Sequence, residues 1–446
     1  MNSKTPKVLH QVCGLPMVEH VGRAMKQAGV EKPVLVYGHG GDQILKAFEG
    51  NYQFAHQSEQ LGTGHAVSVA LPLLEGSDGP ILIAPGDAPL VTSAVFTELV
   101  EKQRACGAAC VVAVCELENP TGYGRVVRDE HWNVRAIVEE SDATDDQKQI
   151  REVNGAFYCF SAAALRKYLP QIKSSNTKNE QYLTDIVELM TQNGEVVETY
   201  TSPDHDLLHG VNDRWQLAEV SAIMQRKLLK KIALSGVTII DPGSTVVGCD
   251  VVIGPDSVLL PGSCLEGTTE IGADCTIGPH TRIVDSKIGD RSEVTMSQVN
   301  RATIGADCRV GPFANVRPHS SIGNRVKVGN YVEIKAASIG DSVSLAHLSY
   351  VGDATIGTGS NIGAGTITCN FDGFDKHRTE IGENVFVGSN STLVAPLRIE
   401  SGAFIAAGSV ITEDVPVDTM ALGRSRQVNK PGWAQRWRES KSKEAE

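Results

Sequence analysis

The stretch ATIGADCRVGPFANVRPHSSIGNRVKVGNYVEI, residues 302–334, repeats one short pattern every six residues. An aliphatic residue, often followed by glycine, returns at every sixth position, and a small or β-branched residue stands two positions before it. The aliphatic row is Ile304, Val310, Val316, Ile322, Val328 and Ile334, and the row before it is Ala302, Cys308, Ala314, Ser320, Val326 and Val332. A period of six fits neither an α-helix nor a flat strand, but it is typical of a parallel β-helix built from hexapeptides. Each hexapeptide forms one side of a coil, and only the stacking of coils buries the aliphatic row.

The same pattern runs from residue 245 to about residue 411, with restarts at Ile339 and Ile381 and one long loop between Thr368 and Glu380. We expect the glycine after each aliphatic residue to permit the tight corner between sides, where many residues would clash. Chance periodicity in a β domain rich in valine and isoleucine is the alternative, but it does not explain restarts in phase. The sequence therefore predicts an all-β domain, a left-handed parallel β-helix, in the second half of the chain.

Composition bounds the rest of the molecule. A chain of 446 residues is too long for one ordinary core, so two or three domains are expected. A formal net charge of −12 argues against a nucleic-acid partner, which needs a basic surface. Nothing approaches the roughly 18 apolar residues of a membrane span, and the polar start is unlike a signal peptide. We expect a cytoplasmic protein with no membrane partner.

The ten cysteines favour neither disulfides nor zinc, because the sequence contains no C-x-x-C pair. Cys275 and Cys308 fall on the small inward row, where a reduced thiol acts as a small hydrophobe.

The first half, to about Val211, alternates apolar strand-like runs at residues 33–37, 81–84 and 110–115 with helical patterns near residues 18–28 and 95–105. This alternation predicts an α/β domain with a mainly parallel sheet. Turn-rich strings follow the strands, and such strand ends form the ligand crevice of open α/β sheets. One of these strings contains Asp87, where a carboxylate after a strand suits Mg²⁺ bridging phosphates, although an ordinary turn residue is the more common explanation.

Residues 214–234 predict one uninterrupted helix that links the two halves. The predicted domains are residues 1–212, a linker helix at 213–235, the β-helix at 236–424 and a basic tail at 425–446. Trp433 and Trp437 in that tail suggest that part of it packs against other residues.

Several strings together resemble a known family. The strings Gln60–Ala66, Asn119–Arg125, Gly352–Asn370 and Gly388-Ser389, in this order, resemble the bacterial bifunctional enzymes that join N-acetylglucosamine-1-phosphate uridyltransferase to glucosamine-1-phosphate acetyltransferase. The resemblance covers nearly the whole chain and implies a Rossmann-like nucleotidyltransferase domain before the β-helix. It implies acetyl transfer from acetyl-CoA to glucosamine-1-phosphate, then uridylyl transfer from UTP with release of pyrophosphate.

The resemblance assigns the nucleotidyltransferase residues by position. Nucleotide contacts fall on Lys7, Gln57, Gly62 and Thr63, sugar contacts on Gly124, Glu139 and Asn154, and Mg²⁺ ligands on Asp87 and Asn212. The implied chemistry is in-line attack of the sugar phosphate on the α-phosphorus of UTP, which depends on positioning and charge neutralisation.

One departure concerns the start of this domain. The family has a strand and a glycine-rich loop, Leu-x-x-Gly-x-Gly-Thr-Arg, before the methionine that aligns with Met1, and the 446-residue sequence does not contain them. Such a loop presents backbone N–H groups to a triphosphate, so we expect uridylyl transfer by these residues to be weakened. Smaller departures are Pro85 and Phe371, where the family usually has tyrosine.

In the β-helix, His347 lies outside both inward rows, so its side chain is expected on the surface of the coil. A lone histidine is more often structural, but an amine that attacks a thioester must lose a proton, and histidine titrates near neutral pH. The resemblance makes His347 the catalytic base. It also assigns sugar-phosphate contacts to Arg317, Lys335, Tyr350, Asn361 and Lys376, and acetyl-CoA contacts to Ala364, Asn370, Phe371, Ser389, Ala407 and Arg424.

These residues are spread over many coils, which a single stack cannot fold together, so the resemblance implies a homotrimer with its acetyltransferase sites between subunits. Three alternatives stay open at this point: an acetyltransferase alone, a nucleotidylyltransferase with a regulatory β-helix, and a non-catalytic β-helix scaffold. The scaffold alternative predicts that His347→Ala changes no activity.

Overall fold

A computed structural model describes residues 1–174 and 180–443. It shows two compact units, Met1–Lys227 and Leu228–Glu446. The helix Arg214–Leu234 contains the boundary between them. Within the described residues, no helix is both long and apolar enough to cross a membrane.

The first unit alternates helices and strands. Its helices are α1 Met17–Gln27, α2 Gly41–Phe48, α3 Thr63–Ala70, α4 Ser93–Cys106, α5 Asp145–Lys148, α6 Ala162–Tyr168, α7 Asp185–Gln192 and α8 Arg214–Leu234. Its strands are β1 Gln11–Val12, β2 Leu15–Pro16, β3 Val34–Tyr37, β4 Gln53–His56, β5 Ile81–Ile83, β6 Cys110–Glu116, β7 Arg125–Arg128, β8 Val134–Val138, β9 Glu152–Phe160 and β10 Val197–Thr201. The strands and helices predicted in this half are confirmed, as is the long helix Arg214–Leu234.

The main sheet has the order β10-β6-β9-β7-β8, with β5 also paired to β9. Alternate residues of β6 enter two different cores, Cys110, Val112 and Val114 on one side and Val111, Ala113 and Cys115 on the other. A strand covered on both faces reads as a continuous apolar run, which explains the sequence of β6. The expected mainly parallel sheet is correct for β10–β6 and β3–β4 but wrong for β9, which runs antiparallel to β5, β6 and β7.

Strands β3 and β4 form a separate two-stranded sheet. Residues of β3 and β5 line a common cavity of about 650 Å³, and polar side chains from the strand ends reach the same cavity. The strand ends of this unit therefore converge on one concave region, as the turn-rich strings predicted.

The second unit is a coil of short parallel strands stacked in three columns. The first column holds β11 Thr238–Ile239, β14 Val258–Leu259, β17 Thr276–Ile277, β20 Glu293–Val294, β23 Arg309–Val310, β30 Asn361–Ile362, β33 Phe386–Val387, β36 Phe404–Ile405 and β38 Met420–Ala421. The second holds β12 Val246–Val247, β15 Cys264–Glu266, β18 Arg282–Val284, β21 Gln298–Asn300, β24 Asn315–Val316, β31 Ile367–Cys369, β34 Thr392–Val394 and β37 Val410–Ile411. The third holds β13 Val252–Ile253, β16 Glu270–Ile271, β19 Lys287–Ile288, β22 Thr303–Ile304, β25 Ser321–Ile322, β27 Ser338–Ile339, β29 Ala354–Ile356, β32 Thr379–Ile381 and β35 Leu397–Ile399.

Two strands break this regularity. Strands β26 Lys327–Lys335 and β28 Ser344–Gly352 are nine residues long and run through the corner between the first and second columns. They pair with each other in parallel along most of their length. His347 lies in the middle of β28, so the irregular strands mark the candidate site.

The aliphatic row forms the core of the coil, as predicted. From Ile271 to Ile411 its members are at most 5% exposed, near the start of the coil Ile253 is partly buried, and Cys275 and Cys308 are buried among them. All ten cysteines lie within the described residues, and none of them forms a disulfide.

The glycine after the aliphatic residue serves a different purpose from the one expected. Among these glycines, Gly278 and Gly311 have positive φ angles, whereas Gly254, Gly305 and Gly357 do not. A Cβ added to any of the latter three would lie 2.5–2.6 Å from backbone atoms of the next coil. The glycine is needed because adjacent coils approach closely there, and the turn conformation requires it only in a minority of coils.

Beyond the last coil, α9 Trp433–Lys443 forms a separate helix. Trp433 and Trp437 stack with ring centroids 6.2 Å apart, and both remain about half exposed. The expected packing of the tail is thus between the two tryptophans themselves.

Candidate active site

The first candidate region surrounds His347. Its Nδ1 lies 3.2 Å from Oδ1 of Asn330, its register partner on β26, and the imidazole is exposed. The hydroxyl of Ser349 donates to the backbone carbonyl of His347 at 2.9 Å. The ring is therefore presented outward from a corner whose backbone is fixed on both sides.

A column of small residues continues from His347 along this corner. Backbone N–H groups join successive coils: Gly365 donates to Leu348 at 2.7 Å, Asn390 to Ala364 at 2.7 Å and Gly408 to Ser389 at 2.8 Å. Arg424 comes next, because a Cβ on Gly408 would lie 3.9 Å from its Cδ. The column aligns four predicted acetyl-CoA contacts, Ala364, Ser389, Ala407 and Arg424, on the corner that carries the histidine.

A second group of predicted residues forms a cationic cluster. The Nζ of Lys335 lies 3.9 Å from Oδ2 of Asp353, and Asn370, which is buried, donates to the same carboxylate oxygen. The adjacent Lys335 ammonium lowers the pKa of Lys376. The Tyr350 ring also reaches this cluster, since a Cβ on Gly352 would lie 2.4 Å from its hydroxyl and 2.9 Å from Nδ2 of Asn370. Two neighbouring ammonium groups are suited to bind a phosphate.

The loop that carries Lys376 is held by Asp372. Its carboxylate accepts hydrogen bonds from the backbone N–H groups of Phe374 at 2.8 Å and Asp375 at 2.7 Å and lies 2.7 Å from Nε2 of His377. The backbone bond from Asp375 and the contact with His377 hold the pKa of Asp372 well below its usual range. Phe371 forms a β-bridge with Lys376 and is 59% exposed.

Arg317 lies one coil before Lys335, because its backbone N–H donates to the carbonyl of Ile334, whereas Asn361 lies on β30. Arg317 Nη1 pairs with Glu333 Oε1 at 2.6 Å across β24 and β26. Asn361 pairs in register with Ser344 of β28 and with Phe386 of β33. Ser344 precedes His347 by three residues on β28. The predicted acetyltransferase residues thus fall into two sets of contacts on the coil, the column at His347 and the cationic cluster.

In the first unit, Lys7 bridges the two predicted metal ligands. Its Nζ lies 2.5 Å from Oδ2 of Asp87 and 2.7 Å from Oδ1 of Asn212. The backbone N–H of Val211 donates to the Asp87 carbonyl at 3.0 Å, which holds the two ligands side by side. These two oxygens already bind one cation, the Lys7 ammonium. They also suit Mg²⁺, which binds few protein ligands and completes its shell with water and phosphate. Among the described residues, no group of three or more histidine, cysteine or acidic side chains could hold a metal by itself.

The predicted sugar contacts converge on one spot. A Cβ on Gly124 would lie 3.4 Å from Glu139 Oε2 and 3.5 Å from Asn154 Cβ. Thr184 donates to Glu139 Oε1 at 3.1 Å, and Asn154, nearly buried, donates to the Tyr158 hydroxyl at 2.8 Å. Gly124 therefore leaves the space beside Glu139 and Asn154 open.

The other three predicted nucleotide contacts, Gln57, Gly62 and Thr63, lie before or at the start of α3. Gln57 Nε2 donates to the Gly62 carbonyl at 3.1 Å, and the Thr63 hydroxyl accepts from the Leu183 N–H at 2.9 Å. Gly62 has φ +112° and touches the backbone of Gln181. Gln57 and Thr63 line the same cavity as Glu139 and Asn154, so the nucleotide and sugar residues share one pocket.

Comparison with known proteins identifies the family. Residues 1–215 match the nucleotidyl transferase family, and residues 301–336 and 378–413 match the bacterial transferase hexapeptide (six repeats) family. The bifunctional protein GlmU of Carboxydothermus hydrogenoformans is 46% identical over 430 residues, which is 96% of either chain. That of Thermoanaerobacter pseudethanolicus is 46% identical over 98% of this chain and 95% of its own. The chain belongs to the bifunctional GlmU family.

A solved structure of UDP-glucose pyrophosphorylase with UDP-glucose resembles half of this chain more distantly. It has 15% sequence identity and a TM-score of 0.42, and it covers 50% of this chain and 91% of its own.

Membership of the GlmU family gives the chain two activities. It is a glucosamine-1-phosphate acetyltransferase and an N-acetylglucosamine-1-phosphate uridylyltransferase, and it makes UDP-N-acetylglucosamine. Mg²⁺ is the cofactor of the uridylyl transfer, and acetyl-CoA is the acetyl donor. The bifunctional prediction is confirmed, so the three alternatives are set aside. That uridylyl transfer needs the glycine-rich segment stays a prediction.

Several residues at these sites were not predicted from the sequence. Asn330 and Glu333 occupy outward positions on β26, and Asn330 precedes His347 by one coil of 17 residues. Asking which residue stands one coil before the histidine could have found Asn330. Asp372 is a third example, and its role depends on a loop whose shape the hexad pattern does not encode.

Arg125 was also missed. Its guanidinium is buried, with Nη2 2.7 Å from Glu140 Oε2, and it donates to the carbonyl of Tyr123. Glu140 in turn accepts from the N–H of Gly122 at 3.2 Å, and the Arg125 hydrogen bond lowers its pKa. This ion pair ties the loop before Gly124 to the strand end that carries Glu139. The Gly-Tyr-Gly-Arg string contained the residue, but nothing in it indicated burial.

Proposed function

We propose that His347 is the general base of the acetyl transfer. In this mechanism Nε2 of His347 accepts a proton from the amine of glucosamine-1-phosphate as the nitrogen attacks the thioester carbon of acetyl-CoA. The C–N bond forms, the C–S bond breaks, and coenzyme A leaves as its thiol or thiolate without a covalent acetyl-enzyme. An exposed imidazole on a rigid corner suits this role, because it can meet both substrates from solvent.

The observation that carries this proposal is the column below His347. Small side chains and backbone form a track along the corner at Ala364, Ser389 and Ala407. The guanidinium of Arg424 lies at the end of this track. We place acetyl-CoA on this track, with its thioester at the histidine and with Asn370 and Phe371 as further contacts. Strands in a ladder are about 4.8 Å apart, so the four coil steps from His347 to Arg424 span about 19 Å. A long, thin ligand with an anionic end fits such a track.

The sugar phosphate takes the cationic cluster. Lys335 and Lys376 would bind the phosphate, with Tyr350, Asn361 and Arg317 completing the sugar site. The depressed pKa of Lys376 supports this assignment, because it reports repulsion between two ammonium groups that a phosphate would relieve.

The separation of these groups on one coil supports a homotrimer with the acetyltransferase sites between subunits. Exposed apolar side chains on the coil are consistent with such contacts: Phe386 and Phe404 stack 4.7 Å apart and are about 40% exposed. The absence of disulfides among the described cysteines supports a reducing, cytoplasmic location.

For uridylyl transfer we propose that Gly124, Glu139 and Asn154 hold N-acetylglucosamine-1-phosphate while Lys7, Gln57, Gly62 and Thr63 hold UTP. Asp87 and Asn212 would hold Mg²⁺, which when bound neutralises phosphate charge. The residues then align the sugar phosphate with the α-phosphorus, and pyrophosphate leaves opposite the attacking oxygen. The domain limits proposed for this chemistry are residues 1–212, with 213–235 as linker, 236–424 as acetyltransferase and 425–446 as tail.

A two-assay experiment tests the acetyl-transfer proposal. Thiol release from acetyl-CoA with glucosamine-1-phosphate should fall at least 10²-fold in His347→Ala, while pyrophosphate release from UTP stays unchanged. His280→Ala is the matched control, because His280 is an exposed histidine on the same corner several coils earlier. Unchanged thiol release in His347→Ala would refute the assigned base.

Subunit mixing tests the shared site. Thiol release at low glucosamine-1-phosphate should reappear when His347→Ala subunits and Lys376→Ala subunits are unfolded and refolded together, because some mixed sites then combine the intact column of one subunit with the intact cationic cluster of another. A mixture that stays inactive while forming mixed trimers would place each site within one subunit.

A further inference from the structure

The inference concerns Asn330 and rests on the proposed role of His347. Asn330 stands directly opposite His347 in the parallel pairing of β26 and β28, and its Oδ1 lies 3.2 Å from Nδ1 of the imidazole. A neutral imidazole carries its single proton on one of two nitrogens, and the partner of the other decides which. An amide oxygen only accepts, so this contact requires the proton on Nδ1.

We infer that Asn330 is a positioning residue that holds His347 in the tautomer with Nδ1 protonated and Nε2 free to take a proton from the substrate amine. Two features make the contact persistent. The register places the two Cα atoms opposite each other, and the Ser349 hydroxyl and the Gly365 N–H both bind the backbone beside the histidine, at 2.9 and 2.7 Å. The backbone therefore holds the two side chains within contact distance of each other.

The partner is neutral, and this matters for the chemistry. A carboxylate at the same place would also orient the ring, but it would stabilise the imidazolium and make the histidine charged over a wider pH range. The titratable residues on the two strands are Lys327, Tyr331, Glu333, Lys335 and Tyr350, none of them in register with His347. On β30 and β31, which pair with β28, the one titratable side chain is Cys369. An amide thus fixes the tautomer without adding a charge beside the base.

Two substitutions separate tautomer control from a structural role. Asn330→Leu keeps the size and removes the acceptor, and we expect kcat for thiol release to fall roughly 10-fold with little change in either KM. Asn330→Asp keeps an acceptor, so most of kcat should survive. The acidic limb of its pH profile should move to higher pH by about one unit, because a carboxylate favours the imidazolium. If the contact were merely structural, kcat would fall equally in both variants and the pH profile would not shift.

Controls keep the outcomes distinct. Asn300→Leu removes another outward asparagine at the end of β21, which is in register with Val284, and should leave thiol release unchanged. Pyrophosphate release should equal wild type in every variant, which shows that the first unit is intact, and nearly unchanged KM values for thiol release show that the coil has folded. If His347→Ala keeps thiol release, the proposed base fails and this inference fails with it. If His347→Ala is inactive but Asn330→Leu keeps full kcat, or Asn330→Asp keeps the wild-type pH profile, the inference alone is wrong.

Discussion

Replacing Gly62 with alanine adds only one methyl group, yet it should lower the rate of uridylyl transfer. Gly62 has φ +112°, and a Cβ built on it would lie 2.5 Å from the carbonyl oxygen and 2.8 Å from the nitrogen of Gln181. Ordinary contacts begin at 3.4 Å, so Gly62→Ala forces these backbones apart by about 0.9 Å. Neither atom belongs to a flexible side chain, so the backbone itself must move.

The hydrogen bonds around Gly62 show what that movement costs. The N–H of Gly64 donates to the Gln181 carbonyl and the N–H of Gln181 donates to the Leu61 carbonyl, both at 2.7 Å. Losing them costs about 1 kcal/mol each, and the positive φ adds about 1–3 kcal/mol of strain. Gly62 also positions Gln57 and Thr63, and a displacement near 1 Å in such a site lowers catalysis roughly 10²-fold.

The assay is pyrophosphate release at varied UTP, with thiol release measured on the same protein. We expect kcat/KM for UTP to fall roughly 10²-fold in Gly62→Ala while thiol release stays within twofold of wild type. Gly76→Ala is the control, since Gly76 has a similar φ of +83° but nothing within 4 Å of its added Cβ. Equal uridylyl transfer in the two variants would show that the approach of Gln181 does not position the nucleotide loop.

Three further changes have expected outcomes. Lys376→Ala should raise KM for glucosamine-1-phosphate roughly 10–100-fold with a small effect on kcat, measured by thiol release, because it removes one of two phosphate cations. Arg125→Met should raise KM for N-acetylglucosamine-1-phosphate more than KM for UTP, measured by pyrophosphate release, because the loop before Gly124 loses its tie. Asp185→Asn should raise the melting temperature at pH 7.5 but not at pH 4. Burial and nearby carboxylates raise the pKa of Asp185 to about 6, so the folded state binds this proton more tightly than the unfolded state and stability falls as pH rises toward and through 6. Equal gains at both pH values would contradict that assignment.

Packing explains which parts of the molecule the sequence could predict. The aliphatic row of the coil was predictable because each member must point inward, so every coil repeats the same requirement. The direction of β9 was not, since an apolar run buried on both faces looks the same for either direction. Asn330 and Glu333 were not found because outward positions carry no packing constraint. The need for glycine after the aliphatic residue was predicted, but for the wrong reason. The close approach of a neighbouring coil is a contact between residues far apart in sequence, which the hexad pattern does not show.

The corner that carries His347 also shows why a repeat can build a catalytic surface. Each coil contributes one outward side chain per column, and the ladder fixes the spacing of these side chains at about 4.8 Å without any contact between them. Chemistry can therefore vary along the column while the frame stays constant: an imidazole at His347, small residues at Ala364 and Ser389, a guanidinium at Arg424. The pair that needs mutual contact, His347 with Asn330, lies where β26 and β28 extend through the corner, so the strands there are long enough to hold both side chains in register. Regular coils can bind a long ligand, whereas orienting a base requires the irregular pair β26 and β28. A coil made only of regular hexapeptides is therefore expected to keep the track for acetyl-CoA but to lose the fixed tautomer of His347.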